Sequence, residues 1–80
     1  MVKIFLFARY AEVAGARELD IDLPASMTIG EVWNSVRKKF PAMAEIRETP
    51  LVACDRKYSR FSHRVRGGEE IAFFPPVGGG

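Results

Sequence analysis

The residues best suited to chemistry stand at the end of the chain, in Pro75-Pro76-Val77-Gly78-Gly79-Gly80, where the composition changes abruptly. Proline cannot donate a ladder hydrogen bond and favours an extended backbone, so Pro75-Pro76 are expected to end strand pairing and project the chain outward. Six extended residues reach on the order of 20 Å. Three terminal glycines admit two readings. They can be a frayed end without a role, or a lead without side chains that threads a narrow channel and carries the carboxylate of Gly80 to a reactive centre.

A carboxylate is a poor acyl donor, and the sequence offers no nucleophile, base and orienter with which the chain could activate its own. A partner has to do so. The other reactive side chains have plainer explanations. Cys54, the only cysteine, cannot form an internal bridge and sits in the apolar run Leu51-Val52-Ala53-Cys54, which reads as a small buried hydrophobe. His63, the only histidine, lies between Ser62 and Arg64 and reads as a solvated loop residue, neither base nor metal ligand. Glu69 and Glu70 are adjacent and point to opposite faces of a strand, so they read as strand-entry charge. Arg64 and Arg66 read as solvated turn residues in preference to a docking site for an acidic partner.

Eighty residues make one domain that buries only about 60–65% of the surface its unfolded chain exposes. With 48% hydrophobic and 28% charged residues it is expected to fold without metal or disulfide. The net charge is +2, with Lys and Arg scattered among Asp and Glu, so no nucleic-acid partner is expected. Met1 to Ala8 is too short for a membrane helix and lacks the layout of a signal peptide, which points to a cytoplasmic protein without a membrane partner.

The elements that position the tail follow from periodicity. Residues 2–8 alternate Val2, Ile4 and Leu6 against Phe5 and Phe7, and both faces are apolar. Tyr10 to Ala14 forms a helical turn that Gly15 ends. Leu19, Ile21 and Leu23 point inward on a second strand, which Pro24 stops. Thr28-Ile29-Gly30-Glu31 fits a capping box, with Met27 and Val32 at the staple positions. Behind it Ile29, Val32, Trp33, Val36 and Phe40 form one apolar stripe of a helix ended by Pro41. A further helical turn is expected within 41–48, a strand at Leu51–Cys54, a tight turn at Asp55-Arg56-Lys57, and a short strand holding Tyr58 and Phe61. Arg66-Gly67-Gly68-Glu69 turns the chain into Ile71-Ala72-Phe73-Phe74, apolar on both faces like the first strand and expected beside it in mid-sheet. The core predicted between sheet and helix is Ile4, Leu6, Ile21, Leu23, Val32, Trp33, Val36, Ile71 and Phe73. One helix covers only one face, so Phe5, Phe7 and Phe74 are left as a partner-docking patch or, alternatively, as a small second core under the loops.

These segments carry a family resemblance over nearly the full length. Lys3-Ile4-Phe5-Leu6-Phe7-Ala8, Met27-Thr28-Ile29-Gly30-Glu31-Val32 and the run from Gly68 to Gly80 resemble the first strand, helix start and end of the small subunits of molybdopterin synthase. A Gly-Gly end alone also suits thiamin-pathway sulfur carriers and ubiquitin-like modifiers, whereas Pro75-Pro76-Val77 leading into the glycines is the molybdopterin pattern. The family often has Asn-Gly where Asp55-Arg56 stands, and Asp-Gly-Asp at the Arg66–Glu69 turn.

The resemblance implies an α+β, ubiquitin-like β-grasp fold: a mixed sheet of four to five strands on one main helix, with a domain at 1–74 and a tail at 75–80. It implies a sulfur-carrier subunit without activity alone, which binds no cofactor or metal. A ubiquitin-activating-like adenylyltransferase uses ATP to adenylate Gly80, sulfur replaces the adenylate to give a thiocarboxylate, and the large synthase subunit, in a heterotetramer, takes that sulfur for the dithiolene of molybdopterin. Gly79 is the slim neighbour of the reacting residue, and Phe5, Phe7, Phe74, Pro75, Pro76, Val77 and Gly78 are the expected partner contacts. A protein modifier, a thiamin-type carrier and an interaction module with an inert tail remain as alternatives.

Overall fold

The capping box forms as the sequence predicts. The Thr28 hydroxyl accepts from the Glu31 amide at 3.2 Å, and the Thr28 amide donates to the Glu31 carboxylate at 2.9 Å. The Thr28 amide, with the Thr28 hydroxyl donating to the same carboxylate oxygen at 3.1 Å, holds the Glu31 carboxyl below the usual carboxylate range. A computed structural model of the chain, which describes residues 1–22 and 27–76, runs the main helix over Ile29–Lys39 (α2). Ile29, Val32, Trp33 and Val36 make up its buried stripe, and Arg37, Lys38 and Lys39 place positive charge at its C-terminus, where the helix dipole favours it. Phe40 turns to an extended backbone, and Pro41 opens a 3₁₀ segment over Pro41–Glu45.

Strands β1 (Val2–Leu6), β2 (Glu18–Ile21), β3 (Leu51–Cys54), β4 (Lys57–Tyr58) and β5 (Glu70–Phe74) form one mixed sheet in the order β2-β1-β5-β3-β4. The two strands read as apolar on both faces, β1 and β5, are parallel neighbours, with Ile4 opposite Ile71 and Leu6 opposite Phe73. All other pairs are antiparallel. A short helix α1 (Arg9–Ala14) fills the connection between β1 and β2, and Gly15, at φ 73°, closes it with its amide on the Ala11 carbonyl at 2.9 Å. A positive φ is open to glycine without the clash a Cβ brings.

One core lies between sheet and α2. Ile4, Leu6, Val32, Trp33, Val36, Ile71 and Phe73 are buried in it as predicted. Ile21 is only half-buried: it ends β2, a four-residue strand at the edge of the sheet. Leu23 lies outside the described residues. Phe61 packs against the core from a turn and does not extend β4, which ends at Tyr58.

The core also takes Tyr10, Met43, Ile46, Val52 and Val65. Tyr10 is completely buried, its ring 5.3 Å from that of Trp33, which in turn lies 4.8 Å from Phe73. Its hydroxyl reaches Glu48 at 2.9 Å, and Arg9 pairs with the same carboxylate. Burial, then the Glu48 carboxylate, raises the Tyr10 hydroxyl pKa well above its ordinary value.

Candidate functional site

The face of the sheet turned away from α2 carries the predicted patch. Side chains alternate along a strand, so Val2, Ile4 and Leu6 turn into the core while Lys3 and Phe5 turn out. The same alternation in β5 sends Ile71 and Phe73 inward and Ala72 and Phe74 outward. Phe7, one residue past β1, is 45% exposed, and its ring stacks on Phe74 with centroids 4.9 Å apart and planes 24° from parallel. Phe5 and Phe74 are half-buried.

Two further residues extend this patch beyond the predicted set. Leu51 pairs with Phe74 across β3 and β5 and is 39% exposed. Tyr58, 81% exposed, sets its ring edge-on to Phe74 at 6.5 Å. The Leu51–Phe74 register is a long-range property that local periodicity does not contain. Tyr58 was readable only as a strand residue, with no signal for the face it occupies.

The patch surrounds the root of the tail. β5 ends at Phe74, and Pro75 and Pro76 follow half-buried and outside any strand, which is where the prolines were expected to stop pairing. Val77, Gly78, Gly79 and Gly80, the remaining expected contacts and the reacting end, lie outside the described residues. Among the described residues no helix is long and apolar enough to cross a membrane.

On the helix side of the sheet the fold brings together three residues that the sequence reading kept apart. Cys54 ends β3, Glu69 immediately precedes β5, and His63 sits in the connection between β4 and β5. The Cys54 thiol donates to Glu69 Oε2 at 3.2 Å, His63 Nε2 lies 3.4 Å from the same oxygen, and Sγ and Nε2 are 3.7 Å apart. Cys54 is therefore half-buried and hydrogen-bonded, not a simple hydrophobe, and His63 is drawn under Glu69 instead of standing free in solvent. Burial, then the Glu69 carboxylate, pushes the Cys54 thiol up to about 12. Burial also pushes the Glu69 carboxyl upward, but the Arg66 amide, the thiol and the imidazole outweigh it and hold the group below the usual carboxylate range.

This grouping is not a nucleophilic triad. There the imidazole stands between thiol and carboxylate and uses one nitrogen for each. Here a single nitrogen, Nε2, faces both groups, and the thiol is held protonated.

A sheet in this order grasping one helix is the ubiquitin-like β-grasp fold. The chain belongs to the ThiS family, which it matches over residues 4–80. It is 32% identical to the molybdopterin synthase sulfur carrier subunit of Arabidopsis thaliana, over 99% of this chain and 82% of that one. Its identity with the protein of the same name in Dictyostelium discoideum is 36%, covering 98% and 94% of the two chains. The crystal structure of SAMP1 from Haloferax volcanii superimposes with a TM-score of 0.86 at 28% identity, covering 99% of this chain and 98% of that one.

Proposed function

We propose that this chain is the sulfur-carrier subunit of a molybdopterin synthase, with the Gly80 carboxylate as the group that carries sulfur. The observation that supports this best is the placement of the tail root. The chain leaves β5 through Pro75-Pro76 from within the aromatic patch of Phe7, Phe74 and Tyr58. A partner that covers this patch receives the tail with it. Near-full-length likeness to carriers of that name and a family match running to residue 80 support the same reading.

In this proposal a ubiquitin-activating-like adenylyltransferase joins the Gly80 carboxylate to the adenylyl group of ATP and releases pyrophosphate. A sulfur donor then displaces AMP, leaving a thiocarboxylate. The large synthase subunit, two copies with two carriers in a heterotetramer, takes the sulfur for the dithiolene. The reaction is placed in the cytoplasm. The role of this chain's own residues is to bind and to reach: Phe5, Phe7 and Phe74 dock the domain, Pro75-Pro76 aim the tail, and Gly79 leaves room beside the reacting carbonyl.

A second reading, a protein modifier joined to lysines through Gly80, is favoured by the likeness to the small archaeal modifier protein 1 of Haloferax volcanii, at 30% identity. Both readings use the same activated terminus. Mass spectrometry of the protein purified from its own cells separates them. Exchange of one terminal oxygen for sulfur is the expected result, a Gly80 isopeptide remnant on other proteins is the mark of a modifier, and an invariably unmodified end would refute both.

A further inference from the structure

We propose that Cys54, His63 and Glu69 form a binding site for one zinc ion, with the fourth coordination position left to water. This site is on the helix side of the sheet and is independent of the tail chemistry. The chain contains one cysteine and one histidine, and the fold sets them on a common carboxylate oxygen.

The distances fit the ion. Tetrahedral zinc with bonds of about 2.3 Å to sulfur and 2.0–2.2 Å to nitrogen and oxygen separates its ligand atoms by roughly 3.4–3.6 Å. The three separations here are 3.2, 3.4 and 3.7 Å. A cation just off the plane of Sγ, Nε2 and Oε2 sits about 2.0–2.3 Å from each, with no rearrangement beyond a few tenths of an ångström. All three groups present the atom a metal needs, whereas a triad would need both imidazole nitrogens. On binding, the thiol gives its proton to solvent, and the resulting thiolate and the Glu69 carboxylate balance the two charges of the ion. A thiolate with an imidazole selects a borderline-soft ion and disfavours magnesium or calcium.

The scaffold holds each ligand from behind. Glu69 Oε1 accepts the Arg66 amide at 2.5 Å, which leaves Oε2 directed at the other two ligands. The Asp55 amide donates to the Glu70 carbonyl at 2.8 Å and the Glu70 amide to Asp55 Oδ1 at 2.9 Å, locking the end of β3 to the start of β5. The His63 carbonyl accepts the amide of Ile29, the first residue of α2, at 3.0 Å. A bound ion would thus clamp the β4–β5 connection to the sheet.

The test is a titration of the reduced full-length chain, kept monomeric with a phosphine reductant, using cobalt(II) as an optical probe and zinc(II) as competitor. One equivalent of cobalt is expected to give a thiolate-to-metal charge-transfer band and the visible bands of a tetrahedral site, and zinc is expected to displace it and raise the melting temperature. Cys54→Ser is expected to abolish the charge-transfer band. His63→Asn and Glu69→Gln, each verified as folded by circular dichroism, are expected to weaken binding at least tenfold and to remove the thermal shift. Absence of a saturable band at one equivalent would overturn the site. So would a band whose affinity is unchanged in folded His63→Asn, since that is a thiolate binding metal alone.

Discussion

The two central strands, β1 and β5, carry large apolar residues on both faces, and those faces have different fates. Toward α2, Ile4, Ile71 and Phe73 are completely buried. On the other side, Phe7 and Tyr58 remain exposed around Phe74 and the exit of the tail. A small domain rarely leaves clustered aromatics in water without a use for them. Alternating hydrophobicity therefore reports what a strand can bury, while the number of covering elements decides what it does bury. With one main helix, only one face becomes core and the other is available to a partner.

That comparison is broken or sharpened by substitution on each face. On the covered side, Trp33, 5% exposed and in contact range of Tyr10 and Phe73, is expected to show the largest effect: Trp33→Ala should destabilise by about 3–5 kcal/mol in chemical denaturation. A loss under 1 kcal/mol would mean that the helix face is not the core. On the open side, Phe7→Ala and Phe74→Ala are each expected to weaken binding to the large synthase subunit at least tenfold, or about 1.4 kcal/mol. For Phe7→Ala, stability is expected to change by no more than about 1 kcal/mol, the scale of one stacked ring pair. Unchanged affinity in both variants, measured by calorimetry, would reduce the patch to a second small core.

Smaller effects test the margins of the covered face. Tyr10→Phe removes the bond to Glu48 and is expected to cost about 1–2 kcal/mol at neutral pH. The folded protein holds the Tyr10 proton more tightly than the unfolded chain, whose phenol ionises near 10.0. The stabilisation is therefore full below pH 10 and is lost as pH rises above it. Tyr10→Phe is expected to flatten the alkaline decline in stability, and an identical decline in both proteins would contradict the assignment. At the β3–β4 turn, Asp55 and Arg56 adopt φ of 49° and 70°. Positive φ at both central turn residues favours Asn-Gly. Arg56→Gly is expected to stabilise by about 1 kcal/mol, read as a higher melting temperature.

How far the sequence carried depended on the range of each signal. The capping box, the α2 stripe and the two strands apolar on both faces are local patterns, and they gave the fold, most of its core and the position of Phe5, Phe7 and Phe74. Tyr10 and Met43 were missed because a six-residue helix and a five-residue 3₁₀ segment are too short to display a period, and Ile46 because it is a lone extended residue after that segment. Leu51 and Tyr58 join the patch only through strand register. The Cys54, His63 and Glu69 grouping was unreadable for the same reason: their alignment requires β3 beside β5 and the intervening connection folded back on both.

The division of labour between docking face and terminal glycines is tested most directly by one comparison: binding and turnover of a chain lacking Gly79-Gly80, measured side by side with the intact carrier and the large synthase subunit. The domain is expected to keep its fold and most of its affinity, because the patch lies outside the deleted residues, while thiocarboxylate formation and molybdopterin synthesis fall to background. Gly79→Val, which keeps a terminal carboxylate but adds a branched side chain beside it, is expected to bind similarly and turn over far more slowly. Full synthase turnover by the truncated chain would contradict the account outright.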